Sequence, residues 1–270
     1  MAIGIRQMNH KSTGVRPAGF MTARAYYQYL RSHGWHAGLG PPFSCLASAC
    51  QYSRVYKVLR RYDLGDDVLD WGCGSGHFSR YLTANGIHTV GFSFDGLPRS
   101  LERESLFHHV HGDISEPVRL PFCDGRFSTV FSIGVLEHVW ETGGSDIASM
   151  REIWRVLRTS GLFICAHLPN LHGWIERFAT AIGMADHFHK RKYTSTDVYE
   201  LARNAGFSIE EIGRYNFLPR NKLSKLPKVI CDTAVGASII NGVDFVLASC
   251  APRYTQNYYF IARKTKPVQC

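Results

Sequence analysis

Three glycines at alternate positions, Gly72, Gly74 and Gly76, end the short apolar run Val68-Leu69-Asp70-Trp71. Directly after them Phe78, Tyr81 and Leu82 recur at helical spacing, and Gly86 stands where a helix over about His77 to Asn85 would be capped. Only glycine turns at positive φ without steric cost and lets the backbone approach a ligand closely. Strand, glycine turn and helix together open a nucleotide-type site in an open α/β sheet.

The flanking residues narrow the ligand. No Lys-Ser or Lys-Thr pair comes after the glycines, so the turn is not a P-loop, and its spacing is not the Gly-x-Gly-x-x-Gly of dinucleotide enzymes. Asp70, two residues before Gly72, suits a ligand with an ammonium group and no pyrophosphate. Downstream, strands and helices alternate as a parallel doubly wound sheet requires. Strands are expected at Ile87–Ser93, about Phe107–His111, Ser128–Ser132, Leu162–His167, Phe207–Tyr215 and Asn257–Arg263. Ile147, Met150, Ile153, Trp154 and Leu157 mark one face of a helix that should stop at Ser160-Gly161. A capping box, Thr194-x-x-Asp197, opens another helix, which buries Val198, Leu201 and Ala205 and ends at Gly206.

At the glycine turn, and in the order of the strands and helices downstream, the chain resembles the class I S-adenosylmethionine (SAM) methyltransferases, over about residues 70–215. The run Ile133-Gly134-Val135-Leu136-Glu137-His138 after the fourth strand is similar to the ubiquinone-, menaquinone- and small-molecule-type members. The resemblance implies a Rossmann-like, doubly wound, seven-stranded and mostly parallel sheet with an antiparallel last strand. It implies SAM as cofactor, held by Asp70, Gly72, Cys73, Gly74 and Gly76, with Cys73 a small filler between glycines. Asp113 takes the place of the family's adenine contact and Ile114 covers the ring. Ile133 and Leu136 lie toward the methionine moiety. The family's ribose-binding acid is missing: Ser93 stands in its place and Asp95 lies two residues on, to reach the ribose or to cap a helix opened by Pro98. For the methyl acceptor, His138 is the first candidate base, or else a histidine bonding the loop backbone. Glu137 is a candidate to orient the cofactor or a neighbour, and His167, His187 and His189 are held in reserve. No spacing marks a metal site.

The 270 residues are enough for one large domain with extensions. We expect an N-terminal helical lid over 1–62 and the methyltransferase domain over 63–270, with insertions at about 170–193 and 216–255. In the lid, helices are expected over about Thr22–Ser32 and Ser44–Arg61, with Tyr26, Tyr27, Tyr29 and Trp35 closing over the cofactor. In the first insertion Trp174, Phe178, Ala181, Ile182 and Ala185 form a stripe that would shape an acceptor pocket. The second combines Arg220, Lys222, Lys225 and Lys228 with the apolar run Val229–Leu247, which suits docking on anionic lipid or a pair of helices packed on the core. The formal charge of +9 attracts nucleic acid, anionic lipid or a phosphorylated substrate, or is a solvated surface. Eight cysteines without paired spacing read as reduced thiols of a cytosolic protein, and no signal peptide is evident. The expected reaction is methyl transfer to a small-molecule or lipid/glycan-linked acceptor, at oxygen, in a cytoplasmic protein with a peripheral membrane contact. RNA or protein methylation is the first alternative, although no RNA module is visible and nucleic acid is not the expected partner. A non-catalytic SAM-fold partner protein is the second, kept open by Ser93.

Overall fold

The computed structural model describes residues 19–98, 101–183 and 189–265. Its strands are β1 (Val68–Trp71), β2 (Thr89–Ser93), β3 (Phe107–His111), β4 (Phe127–Ile133), β5 (Leu157–Pro169), β6 (Phe207–Tyr215) and β7 (Asn257–Lys264). Among the described residues they form one sheet in the order β3-β2-β1-β4-β5-β7-β6. β1 to β5 pair in parallel, and β7 runs antiparallel to both of its neighbours, β5 and β6. The chain winds outward from β1 in one direction and from β4 in the other. A crevice therefore opens at the carboxyl ends of these two strands.

The helices are α1 (Ala23–Ser32), α2 (Leu46–Ala49), α3 (Ser53–Leu59), α4 (His77–Ala84), α5 (Asp146–Val156), α6 (Trp174–Ala181), α7 (Ser195–Asn204), α8 (Lys228–Cys231) and α9 (Ala234–Cys250). Side-chain alternation along the strands divides the core between two faces. Phe131, Ile164 and Ile261 point to the side covered by α1 to α4 and α9. Val130, Phe163 and Phe260 point to the side covered by α5 and α7. The expected capping box is present at the start of α7, with Thr194 and Asp197 bonding each other's backbone.

Two expected elements differ. The segment Ser44–Arg61 is not one helix: α2 gives way to a 3-10 turn, Cys50–Tyr52, before α3 begins. The break turns Tyr52 onto Phe43 and His77, with ring centroids 5.4 and 5.1 Å away, while Tyr56 stacks on Tyr81 at 3.6 Å. Second, α5 stops at Val156 and β5 starts at Leu157, so Ser160, at φ 62, is a kink inside the strand rather than a helix end. The residues just after Pro98, 99 and 100, lie outside the described residues.

The N-terminal segment is stitched to α4. The Met21 N–H donates to Asn85 Oδ1 at 2.7 Å, and the Tyr81 hydroxyl donates to Met21 O at 2.9 Å. Tyr26 reaches the His77 carbonyl at 2.6 Å. Residues 216–255 leave the sheet after β6 and re-enter it at β7. Their anchor is a buried ion pair, Arg220 to Asp244 at 2.8 Å, with side chains 6% and 7% exposed. Asp244 Oδ1 also accepts the N–H groups of Phe217 and Leu218, and Arg220 donates to the Ala47 carbonyl in α2. Among the described residues no helix is long and apolar enough to cross a membrane.

Removing one partner leaves the other charge buried and uncompensated. Asp244→Ala should therefore lower unfolding stability by about 3–5 kcal/mol, read from urea denaturation.

Candidate functional site

The glycine turn sits at the crevice. Gly72, Gly74 and Gly76 have φ of 76°, 47° and 76°, a region closed to most side chains. The N–H groups of Gly72 and Cys73 donate to the Phe92 carbonyl of β2 at 2.8 and 3.0 Å. A Cβ on Gly72 would lie 2.5 Å from Val135 Cγ1, so the absence of a side chain lets the turn meet the segment after β4. A Cβ on Gly74 would meet nothing closer than the Gly72 carbonyl, at 3.9 Å. The turn thus has one packed side and one open side, a cradle for a ligand.

Asp70 is almost fully buried and its Oδ2 accepts the Ser79 hydroxyl at 2.6 Å, tying β1 to α4. Burial pushes its carboxyl up to about 6, against the opposing effect of Ser79. Burial likewise pushes the Cys73 thiol up to about 12, which suits an inert filler. At the end of β2, Ser93 Oγ donates to the Asp95 carbonyl and lies 3.1 Å from His109 Nε2, so its hydroxyl is engaged within the sheet edge. The Asp95 side chain is exposed. Phe94, His111, Gly112, Asp113 and Ile114 line a hollow of about 390 Å³ after β2 and β3. Asp113 Oδ1 accepts from the Ser115 N–H and hydroxyl, which hold its carboxyl below the usual range. Ile114 offers an exposed apolar surface beside it.

Ile133 ends β4 and Leu136 begins a 3-10 turn, Leu136–Thr142; both are buried. Glu137 is 3% exposed, its Oε2 is shut off from solvent without a hydrogen-bond partner among the described residues, and burial pushes its carboxyl up to about 7. His138 is half-exposed, with Nδ1 3.0 Å from Glu141 Oε1 and Nε2 4.0 Å from Glu137 Oε1. His189 faces it, ring centroids 5.4 Å apart, and its Nδ1 lies 2.6 Å from Glu176 Oε1. That bond raises the His189 pKa. Burial alone would raise Glu176, but His189 and Lys192 outweigh it and hold the carboxyl below its usual range. His187 lies outside the described residues.

Sequence reasoning held His167 in reserve and missed His77, Phe43 and Tyr52. His77 and His167 each present a shut-off Nε2 with no partner among the described residues, and burial lowers them to about 4 and about 3. His167 stands at φ 60, its N–H donating to the Tyr215 hydroxyl. Tyr52 packs on both imidazoles and Phe43 on that of His77, the residue after the turn, whose carbonyl also takes the Tyr26 hydroxyl. The expected Tyr27 turns away to Asp232, and Trp35 stacks on Arg80. In α6 the stripe is not a pocket wall: Phe178 and Ile182 face solvent, Ala179 is the buried residue, and Ala185 lies outside the described residues. No local spacing announces these contacts.

Residues 69–165 match the family model described as a methyltransferase domain, and they hold the glycine turn and the segment after β4. The chain carries a class I SAM-dependent methyltransferase domain. The cofactor of this superfamily is SAM. The chain is 28% identical over 167 residues to a "Probable S-adenosylmethionine-dependent methyltransferase" of Mycolicibacterium smegmatis, covering 58% of each chain. It is 32% identical over 130 residues to the human "Probable tRNA methyltransferase 9B", covering 48% of this chain and 27% of that one. The chain thus spans just over half of the first relative's length and about a quarter of the second's. The fold is shared with the methyltransferase solved in complex with the Haloferax volcanii Trm112 methyltransferase activator, at TM-score 0.57 and 18% identity, covering 89% of this chain and 98% of that one.

In this methyltransferase domain Gly72→Ala should cost about 1–3 kcal/mol of stability, from strain at positive φ and the clash with Val135. Thermal unfolding reads the loss, and Val135→Ala in the same chain should recover part of it.

Proposed function

We propose that the protein transfers a methyl group from SAM to a hydroxyl of a lipid-linked acceptor. The observation that carries this reading is the contact of Gly72 with Val135, which sets the cofactor cradle beside the buried Glu137 and the imidazoles of His138 and His189. The residues fit the cofactor. The open side of Gly74 admits its backbone-close part. Asp70 offers a carboxylate for the methionine ammonium, and the hollow at Asp113 and Ile114 suits a purine, with Asp113 accepting the exocyclic N–H. Ser93 supplies no second carboxylate, so the ribose is held more weakly, with Asp95 as the available acid. Cys73, Ile133 and Leu136 pack behind these contacts. The cofactor supplies a methyl on sulfur: a C–O bond forms as the C–S bond breaks, sulfur keeps the electron pair, and the hydroxyl proton leaves. The chain's own residues align the reactants and take charge of that proton on the Glu137, His138 side. Phe43 and Tyr52 exclude water above His77.

The lipid part rests on the insertion between β6 and β7. Val229, Val235, Ile239, Phe245 and Val246 are exposed, Val235 to 71%, on helices α8 and α9. Lys222, Lys225 and Lys228 precede them, exposed, with no ion pair among the described residues. Apolar residues beside lysines suit an anionic bilayer surface. The insertion joins the carboxyl end of β6 to the start of β7, at the same end of the sheet as the cradle.

RNA as acceptor is the second reading, favoured by the charge of +9 and by the relative named as a tRNA methyltransferase. Methyl incorporation from labelled SAM into lipid extract or into RNA separates the two.

Two outcomes are expected. SAM binding by calorimetry should weaken about tenfold from pH 7 to pH 5, because Asp70, with its pKa near 6, loses its charge over that range. Asp70→Asn should bind more weakly and without this pH dependence; an unchanged slope would remove Asp70 from the cofactor site. Vesicles containing phosphatidylserine should sediment the protein, and purely zwitterionic ones should not. Val235→Asp with Ile239→Asp should abolish sedimentation, and its persistence would overturn the lipid reading.

A further inference from the structure

We propose that Glu137, His138 and His189 form a binding site for a divalent transition-metal cation on the acceptor side of the cradle. A candidate ligand atom from each of the three lies within 4.8 Å of the other two. Ligands on one cation at bond lengths of about 2.1 Å are separated by roughly 3–3.5 Å, so small side-chain rotations close the site.

The two histidines are prepared in the same way. His138 Nδ1 meets Glu141 Oε1 at 3.0 Å, and His189 Nδ1 meets Glu176 Oε1 at 2.6 Å. Glu176 is itself fixed by Lys192 at 2.7 Å. A carboxylate on Nδ1 keeps the proton on that nitrogen and leaves the Nε2 lone pair as a ligand, the arrangement found behind most metal-bound histidines. The third ligand is independent of this pattern. Glu137 Oε2 is buried and has no hydrogen-bond partner among the described residues. A buried carboxyl oxygen without a partner is costly, and a cation seated between the three would supply that partner.

The donor set identifies the class of ion. Two imidazoles and one carboxylate suit Zn²⁺, Mn²⁺, Fe²⁺, Co²⁺ or Ni²⁺ over Mg²⁺ and Ca²⁺, which prefer oxygen throughout. Half-exposed His138 leaves an open side for water or an acceptor oxygen. A hydroxyl bound to such an ion gives up its proton more readily. This consequence rests on the methyl-transfer reading and makes His138 a ligand rather than a free base. Metal binding itself is measured without turnover.

The test uses the full chain, stripped with chelator and titrated by calorimetry with Zn²⁺ alone and Mn²⁺ alone, and examined by visible absorption with Co²⁺ alone. One equivalent should bind with micromolar or tighter Kd, and the Co²⁺ spectrum should report nitrogen ligation. His189→Ala and Glu137→Gln should each weaken binding by about a hundredfold. Glu141→Gln and Glu176→Gln should weaken it about tenfold. His88→Ala, at an exposed histidine elsewhere, should change nothing. Circular dichroism and SAM titration check that each variant is folded. Failure of the parent to take up a stoichiometric cation, or unchanged affinity in His189→Ala, overturns the inference. A stripped protein that binds SAM but no metal sinks this inference alone. One that binds metal but not SAM sinks the cofactor assignment alone.

Discussion

The site depends on a single close approach. Gly72 has no side chain, and the space a Cβ would need is taken by Val135. Through that contact the turn after β1 and the turn after β4 become neighbours, although they are far apart in the chain. The Phe92 carbonyl, accepting from Gly72 and Cys73, fixes the same turn to β2 from the other side. Three parallel strands are thus locked at their carboxyl ends, where dipoles and loops converge and where an open α/β sheet takes its ligands. The buried Glu137 and the imidazole of His138 come just after Val135 in the chain, so their position is inherited from the glycine.

A second set of contacts carries order outward from that point. Tyr56 lies flat on Tyr81, Tyr26 bonds the His77 carbonyl, and Asn85 holds Met21. The N-terminal segment is therefore packed as core against α4. Arg220, gripped by Asp244, reaches the backbone of α2, and the Ser48 hydroxyl donates back to the Arg220 carbonyl. Burying that ion pair is costly, but its partners and the backbone groups around it satisfy most of its polar atoms.

Much of the sheet is legible in the sequence because strand signals are local. The spans of β3 and β6 agree with the expected ones residue for residue, and the capping box at Thr194 opens its helix as expected. The segment Ser44–Arg61 reads as one helix, yet a 3-10 turn, Cys50–Tyr52, interrupts it, and no residue there announces the interruption. The departure at Ser93 is visible in the sequence, but its engagement by His109, a residue on the next strand, is not. The same limit hides the cluster at Glu137. Glu141 shares a turn with Glu137 and His138, but His189 and Glu176 come from two other segments, and no spacing links those to the turn until the fold does. The apolar run after Lys228 is plain to read, yet only the folded chain distinguishes the buried Ala237 and Ile240 from the exposed Val235 and Ile239.

The antiparallel direction of β7 has a consequence for how such a chain can diversify. Because β6 runs with the sheet and β7 against it, the connection between them departs and returns at one end, the end that carries the crevice. Lengthening such a connection costs little entropy, growing only with the logarithm of its length. Nothing in the strand pairing needs to shift when it is rebuilt. The fold therefore leaves residues 216–255 free to be rebuilt at that end of the sheet while the paired strands stay as they are.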